Sequence, residues 1–484
     1  MKLYQELAAD LATLIRQGTL QVGEKIPSVR DLCRERSVSP ATALRAYDVL
    51  ETNGLVDSRD RSGYYVSNRW QQSPGEPELS RPPSRSTQLD VSNLVFDILE
   101  ASRDRDVVPL GSAFPSPTLF PWAKLARHLG SSARSMDPWS TVESLPPGSG
   151  ELRRQIARRY LQFGSRVAAD EIIITSGALE ALNLCLQTVT RPGDTVAIEA
   201  PAFYACLQAI EMCGLRAVEI PTHPREGVDL GALEQSIAKH NIRACWFMTT
   251  FQNPLGASLP EDKKRDLVKL LAEHDIPLIE DDVYAELHFG EHRPKPAKAF
   301  DRKGLVLNCG SFSKSLAPGY RLGWAAAGRF ATAVQRRKIT TSLATSVPIQ
   351  NGIALMLRHE GYDRHLAKLR QALKTQQAAA LQSIKKHFPS GYRVAVPDGG
   401  YFLWIELPEQ IDALEVHRRG IEAHISIAPG PMFSARRQFR HCLRLNYGHP
   451  WTHEVEEAVA ELGRIIADVA GADAVTQRRK AAGS

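Results

Sequence analysis

LVLNCGSFSKSLAPGYRLGW, residues 305–324, decides the fold of most of this chain. Leu305-Val306-Leu307 is an apolar run of strand length. It passes directly into Asn308-Cys309-Gly310-Ser311-Phe312-Ser313-Lys314, where a lysine is framed by two serines, and Arg321-Leu322-Gly323-Trp324 follows. The same grammar repeats upstream. Ile172-Ile173-Ile174 leads to a helical pattern over Leu179–Val189. The turn Arg191-Pro192-Gly193-Asp194 precedes a strand-like Val196–Ile198, and Cys245–Met248 and Pro277–Ile279 are further short apolar runs. Strands separated by helices predict an α/β unit with a mostly parallel sheet covered on both faces. In such sheets, ligand sites form beyond the carboxyl ends of the strands.

The residues that follow each run are chemically varied. Thr175-Ser176-Gly177-Ala178 enters a helix, whose free amides suit a phosphate. Glu199-Ala200-Pro201-Ala202-Phe203-Tyr204 offers aromatic rings, Phe251-Gln252-Asn253-Pro254-Leu255-Gly256 an amide, and Ile279-Glu280-Asp281-Asp282-Val283-Tyr284 a carboxylate and a phenol. Each alone is an ordinary turn, cap or solvated side chain; together they match one ligand. A lysine amine can form a Schiff base with an aldehyde. An aspartate can pair with a protonated pyridine nitrogen. Tyrosine and asparagine can hydrogen-bond a ring hydroxyl, and helix amides, serine hydroxyls and an arginine can hold a phosphate. That ligand is pyridoxal 5′-phosphate (PLP).

Roughly residues 108–470 resemble fold type I aminotransferases, on the motifs SFSKSLAPGYRLGW and FQNPLG. The resemblance implies a mainly parallel large domain with a smaller α+β C-terminal domain. It makes Lys314 the Schiff-base lysine, Asp281 the partner of the pyridine nitrogen, and Tyr284 and Asn253 the partners of the ring hydroxyl. Phe203, with Tyr204 as the alternative, is the stacking ring; Ser176, Gly177, Ala178, Ser311, Ser313 and Arg321 surround the phosphate. Cys442-Leu443-Arg444-Leu445-Asn446-Tyr447 looks like the segment whose arginine clamps a substrate α-carboxylate, which gives that role to Arg444. One departure stands out. Such enzymes commonly send a tyrosine to the partner subunit's phosphate from just before a stretch like Pro146–Arg153. Here Thr141-Val142-Glu143-Ser144-Leu145 holds none, so that contact is missing or replaced, with Ser144 as the substitute.

Before this unit, SNRWQQSPGEPELSRPPSRSTQL (67–89) has almost no apolar periodicity, the composition of an extended linker. It predicts a division into residues 1–67, a linker over 68–107, and 108–484. In the first part, Leu3, Leu7, Leu11, Leu14 and Ile15 share one helix face. Ser28-Val29-Arg30-Asp31 has capping-box spacing for a second helix. Ser39-Pro40 reads as an N-cap with proline at the first helical position of a third, running through Ala46, Val49 and Leu50 to Gly54. Leu55–Asp57 and Tyr64-Tyr65-Val66 flank a polar turn, 58–63. Three helices and a hairpin make a winged helix-turn-helix. Its third helix would read bases with Ser39, Ala41, Thr42 and Arg45. Arg30, Arg34 and Arg36 would meet phosphates, and Arg59, Arg61 and Gly63 form the wing. IPSVRDLCRERSVSPATALRAYDVLETNGLV with RSGYYV resembles the DNA-binding domain of GntR-type bacterial repressors, although Pro40 stands where many members have arginine.

A GntR-type domain joined to an aminotransferase-like domain is the architecture of MocR-type regulators. The resemblance therefore implies a PLP-dependent transcriptional regulator that binds operator DNA and senses an amino acid or other amino compound. The alternative is a working aminotransferase with a fused DNA-binding domain. A homodimer is expected, since fold type I sites lie at a subunit interface. The composition agrees with a globular, cytoplasmic protein. Of 484 residues, 43% are hydrophobic, and 60 Lys plus Arg against 54 Asp plus Glu give a net charge of only +6, so DNA affinity must come from a local patch. Seven cysteines without a CxxC pair predict reduced thiols and no metal site. The start lacks a signal-peptide core, and no apolar run is long enough to span a membrane.

Overall fold

The computed structural model describes residues 3–52, 55–59, 63–67, 74–101, 106–359 and 361–482. The chain folds as two units, Met1–Gly75 and Glu76–Ser484. Among the described residues no helix is long and apolar enough to cross a membrane.

The first unit packs α1 (Leu3–Arg16), α2 (Val29–Arg36) and α3 (Pro40–Thr52) against a hairpin of β1 (Val56–Arg59) and β2 (Gly63–Val66). Leu7, Leu11 and Ile15 bury the predicted face of α1 against Leu32, Ala46, Tyr47 and Leu50. The Ser28 hydroxyl accepts from the Asp31 amide and opens α2, as its spacing predicts. The hairpin pairs antiparallel from Val56 with Val66 to Arg59 with Gly63. Gly63, at φ +101°, adopts the left-handed backbone that turns the wing. The predicted end of the third helix at Gly54 lies outside the described residues.

The second unit begins with β3 (Thr87–Gln88), α4 (Ser92–Ala101), α5 (Trp122–Arg134), α6 (Ser140–Glu143) and α7 (Gly150–Gln162). Strands and helices then alternate: β4 (Ile172–Thr175), α8 (Ala178–Val189), β5 (Thr195–Ala200), α9 (Tyr204–Met212), β6 (Arg216–His223), β7 (Gly227–Val228), α10 (Leu230–Lys239), β8 (Ile242–Phe247), α11 (Glu261–Glu273), β9 (Leu278–Asp281), β10 (Val306–Ser311) and β11 (Gly323–Ala326). They form one sheet in the order β3-β6-β5-β8-β9-β10-β11-β4, with β7 on β6. From β6 to β10 every pairing is parallel, while β11 runs antiparallel between β10 and β4. Both faces are covered. Val196, Ile198, Trp246, Ile279 and Leu307 point into one core; Ala197, Cys245, Phe247, Leu278 and Val306, their neighbours in sequence, point into the other. That alternation explains the unbroken apolar runs.

After α12 (Ala331–Thr341), α13 (Val347–Arg358) and the long α14 (Gly361–His387), the chain builds a second sheet from β12 (Arg393–Val394), β13 (Phe402–Glu406), β14 (Ala428–Pro429) and β15 (Cys442–Asn446). It is antiparallel, in the order β12-β13-β15-β14. With α14, α15 (Ala413–Glu422) and α16 (His453–Ala482) it encloses a core around Leu403, Ile405, Leu443 and Val459.

The expectation of an extended linker over 68–107 is corrected here. Residues 68–73 and 102–105 lie outside the described residues, but 76–101 belong to the second unit. β3 pairs antiparallel with β6. Val95 and Ile98 of α4 are buried. Ser80, Ser86 and Thr87, ahead of α4, dock through hydrogen bonds to side chains and backbone, which leave no trace in apolar periodicity.

Candidate functional site

The carboxyl ends of β4, β5, β8, β9 and β10 converge, as the strand pattern predicts. β9 ends in three consecutive buried carboxylates with three different fates. Glu280 accepts from the Thr249 hydroxyl, the Ala297 and Lys298 amides and the Asn308 amide, the last at 2.8 Å. Asp282, just past the strand, pairs with Arg293 at 2.5 Å. Asp281, 1% exposed, has one neutral donor, the Val283 amide at 3.4 Å. Burial pushes its carboxyl up to about 7, the neighbouring Asp282 adds to this, and Lys314 opposes it. A buried carboxylate so weakly compensated suits a cationic ligand atom.

Lys314 follows β10. Its Nζ donates to the Ala113 carbonyl at 2.7 Å and lies 3.6 Å from the centre of the Phe114 ring. Burial, followed by the charges of Arg444 and Arg321, pulls its ammonium down to about 7. A lysine so lowered carries a substantial neutral, nucleophilic fraction at neutral pH.

Tyr284 is buried with its ring edge-on to Tyr401 and Phe402, and Asn253 donates to its hydroxyl at 3.4 Å. The Asn253 carbonyl oxygen in turn accepts from Arg444 Nη1 at 2.9 Å. Arg444, on β15, is fully buried. Its Nη2 donates to the carbonyls of Gly111 and Ser112, and its Nε has no partner among the described residues. A guanidinium buried without a carboxylate partner and with a free donor fits an incoming carboxylate. Phe203 caps α9 and is half-buried; Tyr204 is buried beside it, ring centres 4.6 Å apart.

At the other end of the site, Gly177 caps α8 at φ +94°, where a Cβ would meet Arg321 Nη2 at 2.5 Å. The guanidinium therefore lies flat on the helix entrance, and its Nη1 donates to Ser313 Oγ at 3.2 Å. Ser311 Oγ accepts from the Ser313 amide and donates to the Leu322 carbonyl. Ser176 and Arg321 are exposed, so this end opens to solvent. Helix amides, an arginine and two hydroxyls make an anion cradle. Cradle, carboxylate, phenol–amide pair and lysine together fit PLP.

Sequence reasoning missed several neighbours. Thr345 lies 3.4 Å from the Ser176 hydroxyl. Tyr401 donates to the Ala113 carbonyl, and Asn446 to those of Ser112 and Phe114. Glu199 is buried with Oε1 unpartnered among the described residues, and burial raises its carboxyl to about 8; a lone acid ending an all-buried strand was its signal. Ser144 closes α6 and is buried, and among the described residues no contact ties its hydroxyl to the phosphate cradle.

In the first unit, Ala41 and Arg45 are exposed on α3, and Arg30, Arg34 and Arg36 on α2. Arg45 lies 6.0 Å from the Tyr4 ring. Ser39 is used as a cap: its hydroxyl accepts from the Thr42 amide and meets the Thr42 hydroxyl at 2.8 Å. Arg34 pairs with Asp31 and Arg36 with Asp10. Arg61 and the Arg59 side chain lie outside the described residues.

Residues 136–462 match the family model for aminotransferase class I and II, and residues 3–66 that for bacterial regulatory proteins of the gntR family. The chain is 45% identical over 466 residues to an uncharacterized HTH-type transcriptional regulator, YdcR, of Escherichia coli (strain K12), a match covering 96% of this chain and 99% of that protein. Among solved structures it is similar to a multiple substrate aminotransferase from Thermococcus profundus, with TM-score 0.73 and 26% identity over 79% of this chain and 96% of that one. It is likewise similar to LysN, an α-aminoadipate aminotransferase from Thermus thermophilus complexed with N-(5′-phosphopyridoxyl)-L-leucine, with TM-score 0.72 and 29% identity over 79% and 96%.

Proposed function

Because the chain belongs to the aminotransferase class I and II family and carries a gntR-family regulatory domain at its N-terminus, we propose that it is a PLP-dependent transcriptional regulator of the MocR type, whose second unit senses an amino compound and whose first unit binds operator DNA. The observation that carries this reading is the coexistence, in one chain, of a winged helix exposing Arg30 and Arg45 with a site that keeps Lys314, Asp281, Tyr284, Asn253 and Arg444 together.

The cofactor is PLP. Bound here, it supplies an aldehyde for an amine and a pyridine ring that withdraws electrons from the carbon beside it. The remaining chemistry falls to the chain. Ser176, Gly177, Ala178, Ser311, Ser313 and Arg321 hold the phosphate. Asp281 takes the pyridine nitrogen; its cost of burial as an anion is offset when a cationic N–H faces it. Tyr284 and Asn253 orient the ring hydroxyl, and Phe203 or Tyr204 covers the ring. Lys314, its proton loosely held, would be the amine that holds the aldehyde end of the cofactor and the base nearest to it. Arg444 receives the effector's carboxylate, its Nη2 exchanging the Gly111 and Ser112 carbonyls for a charged partner. Operator affinity then differs between ligand-free and ligand-bound protein, and the coupling is reciprocal.

The protein acts as a cytoplasmic homodimer. Trp139, Val142 and Leu145, 71%, 56% and 39% exposed within one short run, form the apolar face that supports association. Operator binding by the full chain, measured at fixed salt with and without PLP and single amino acids, tests the reading. An affinity that stays constant throughout overturns it.

One observation favours a second reading, a working aminotransferase: Lys314, lowered towards neutrality, shares its site with Asp281, Tyr284 and Arg444. Keto acid released stoichiometrically from an added amino acid, then turnover with a second keto acid, would establish that activity.

A further inference from the structure

The segment joining the two units is clipped to both sheets of the second one. On the large sheet, Arg225 pairs with Glu76. The Thr222 amide donates to Ser80 Oγ at 2.8 Å, and Arg216 donates to Ser86 Oγ and to the Ser86 carbonyl, both at 2.8 Å. β3 then adds two residues to the edge of β6. From the small sheet, Arg393 of β12 pairs with Glu78 at 2.9 Å. Arg436 donates to Thr87 Oγ1 and to the Arg85 carbonyl from a run whose Ser434 hydroxyl and Ala435 amide donate to Glu219 of β6, so this clip belongs to the large sheet. Glu211 fixes the far end, accepting from the Val91 and Ser92 amides and the Ser92 hydroxyl.

The ligand site is divided in the same way. Lys314 and Asp281 belong to the large sheet, whereas Arg444 stands on β15 of the small one. A ligand held at one end by the cofactor and at the other by Arg444 bridges the two sheets and favours one spacing between them. We infer that residues 76–91 are the relay strap of this regulator: held on the large sheet, they register that spacing through Arg393 of the small sheet and convey it to the chain leading to the winged helix.

The clips suit such a part. Glu76, Arg225, Glu78 and Arg393 are 41%, 57%, 65% and 45% exposed, so each pair is weak and easily remade. The strap also covers the outer edge of β6, so its release uncovers unpaired backbone groups, which favours its return. The Glu211 anchor is common to both arrangements, leaving the part nearest the first unit free to differ.

The inference rests on the sensor reading, and two measurements separate their fates. Hydrogen exchange on the full chain is compared with PLP alone and with N-(5′-phosphopyridoxyl)-L-leucine in its place. Exchange across 76–91 should change several-fold, with that of the Val196–Ile198 strand unchanged; equal exchange across the strap overturns the inference without any variant being made. Operator affinity is then compared for wild type and the double variant Glu78→Ala, Thr87→Val, which touches no group of the ligand site. The variant should bind the adduct within twofold of wild type and melt at a similar temperature, yet lose the change in operator affinity that the adduct causes. A variant that responds as fully as wild type overturns the strap and leaves the sensor intact. A wild type whose operator affinity ignores both PLP and adduct overturns the sensor, and the exchange data still decide the strap.

Discussion

Lys314 and the buried Asp281 shift each other's proton affinity, and pH exposes their relation. Burial, with Arg444 and Arg321 nearby, lowers the lysine to about 7, while Asp281 pulls it back up. Only the neutral amine attacks an aldehyde, so the rate of cofactor attachment should climb about tenfold per pH unit below 7 and level off above it. Asp281→Asn removes the carboxylate that favours the ammonium, so the midpoint should move to lower pH even if the cofactor binds more weakly. Stopped-flow absorbance from pH 5.5 to 9 checks both; a flat profile below 7, or a midpoint that rises in the variant, would sink the account. Lys314→Ala should abolish the visible absorbance of the lysine-linked cofactor altogether. At this scale the sequence was readable where chemistry depends on residue type: Lys314, Asp281, Tyr284, Asn253 and Arg321 all follow strands in the quoted runs. It was silent where the partner is backbone. The carbonyls of Gly111, Ser112 and Ala113 hold Arg444 and Lys314, yet a carbonyl carries no residue identity, and the contact spans 201 positions for Lys314.

Helix entrances are the elements on which both functions turn. At α8, Gly177 combines φ +94° with a Cβ position 2.5 Å from the Arg321 guanidinium. Gly177→Ala must therefore strain the backbone and displace the arginine from the cradle. PLP affinity should fall at least tenfold, or about 1.4 kcal/mol, with the far-UV dichroism retained; a fluorescence titration giving wild-type affinity would show that the cradle does not need this geometry. At α3, the proposed function gives the exposed Arg45 a base edge, and Arg30 on α2 a phosphate. Arg45→Ala should cost about 1–3 kcal/mol at the operator and relax base preference, whereas Arg30→Ala should weaken all sequences alike and reduce the salt slope by about one. Fluorescence anisotropy across a salt series distinguishes them, and two variants that lose affinity in the same manner would refute the division of labour. The parallel strands were legible because a strand buried on both faces is apolar along its length, as Val196–Ile198 is. The strap and α4 were not. Ser80, Ser86 and Thr87 dock by hydroxyl and backbone hydrogen bonds, and proline-rich polar sequence has the same composition whether it is docked or free.

For the molecule as a whole, the net charge of +6 explains neither specificity nor assembly; two heads acting together would explain both. Winged helices that read half-sites gain when a dimer presents a pair of them, because the second contact becomes intramolecular. The face that would join two copies is Trp139, Val142 and Leu145, three exposed apolar side chains in and beside α6. Leaving a tryptophan 71% exposed there is costly in a monomer and ordinary in an interface core. Trp139→Asp places a charge at the centre of that face without touching a buried side chain, so the fold should survive with its melting temperature nearly unchanged. Sedimentation velocity should show wild type as a dimer and the variant as a monomer at micromolar concentration. Its operator affinity should drop about 100-fold or more, while its affinity for a single half-site stays at the wild-type level. A variant that sediments as a dimer, or binds the full operator as tightly as wild type, would remove this face from the assembly and require the heads to be paired elsewhere.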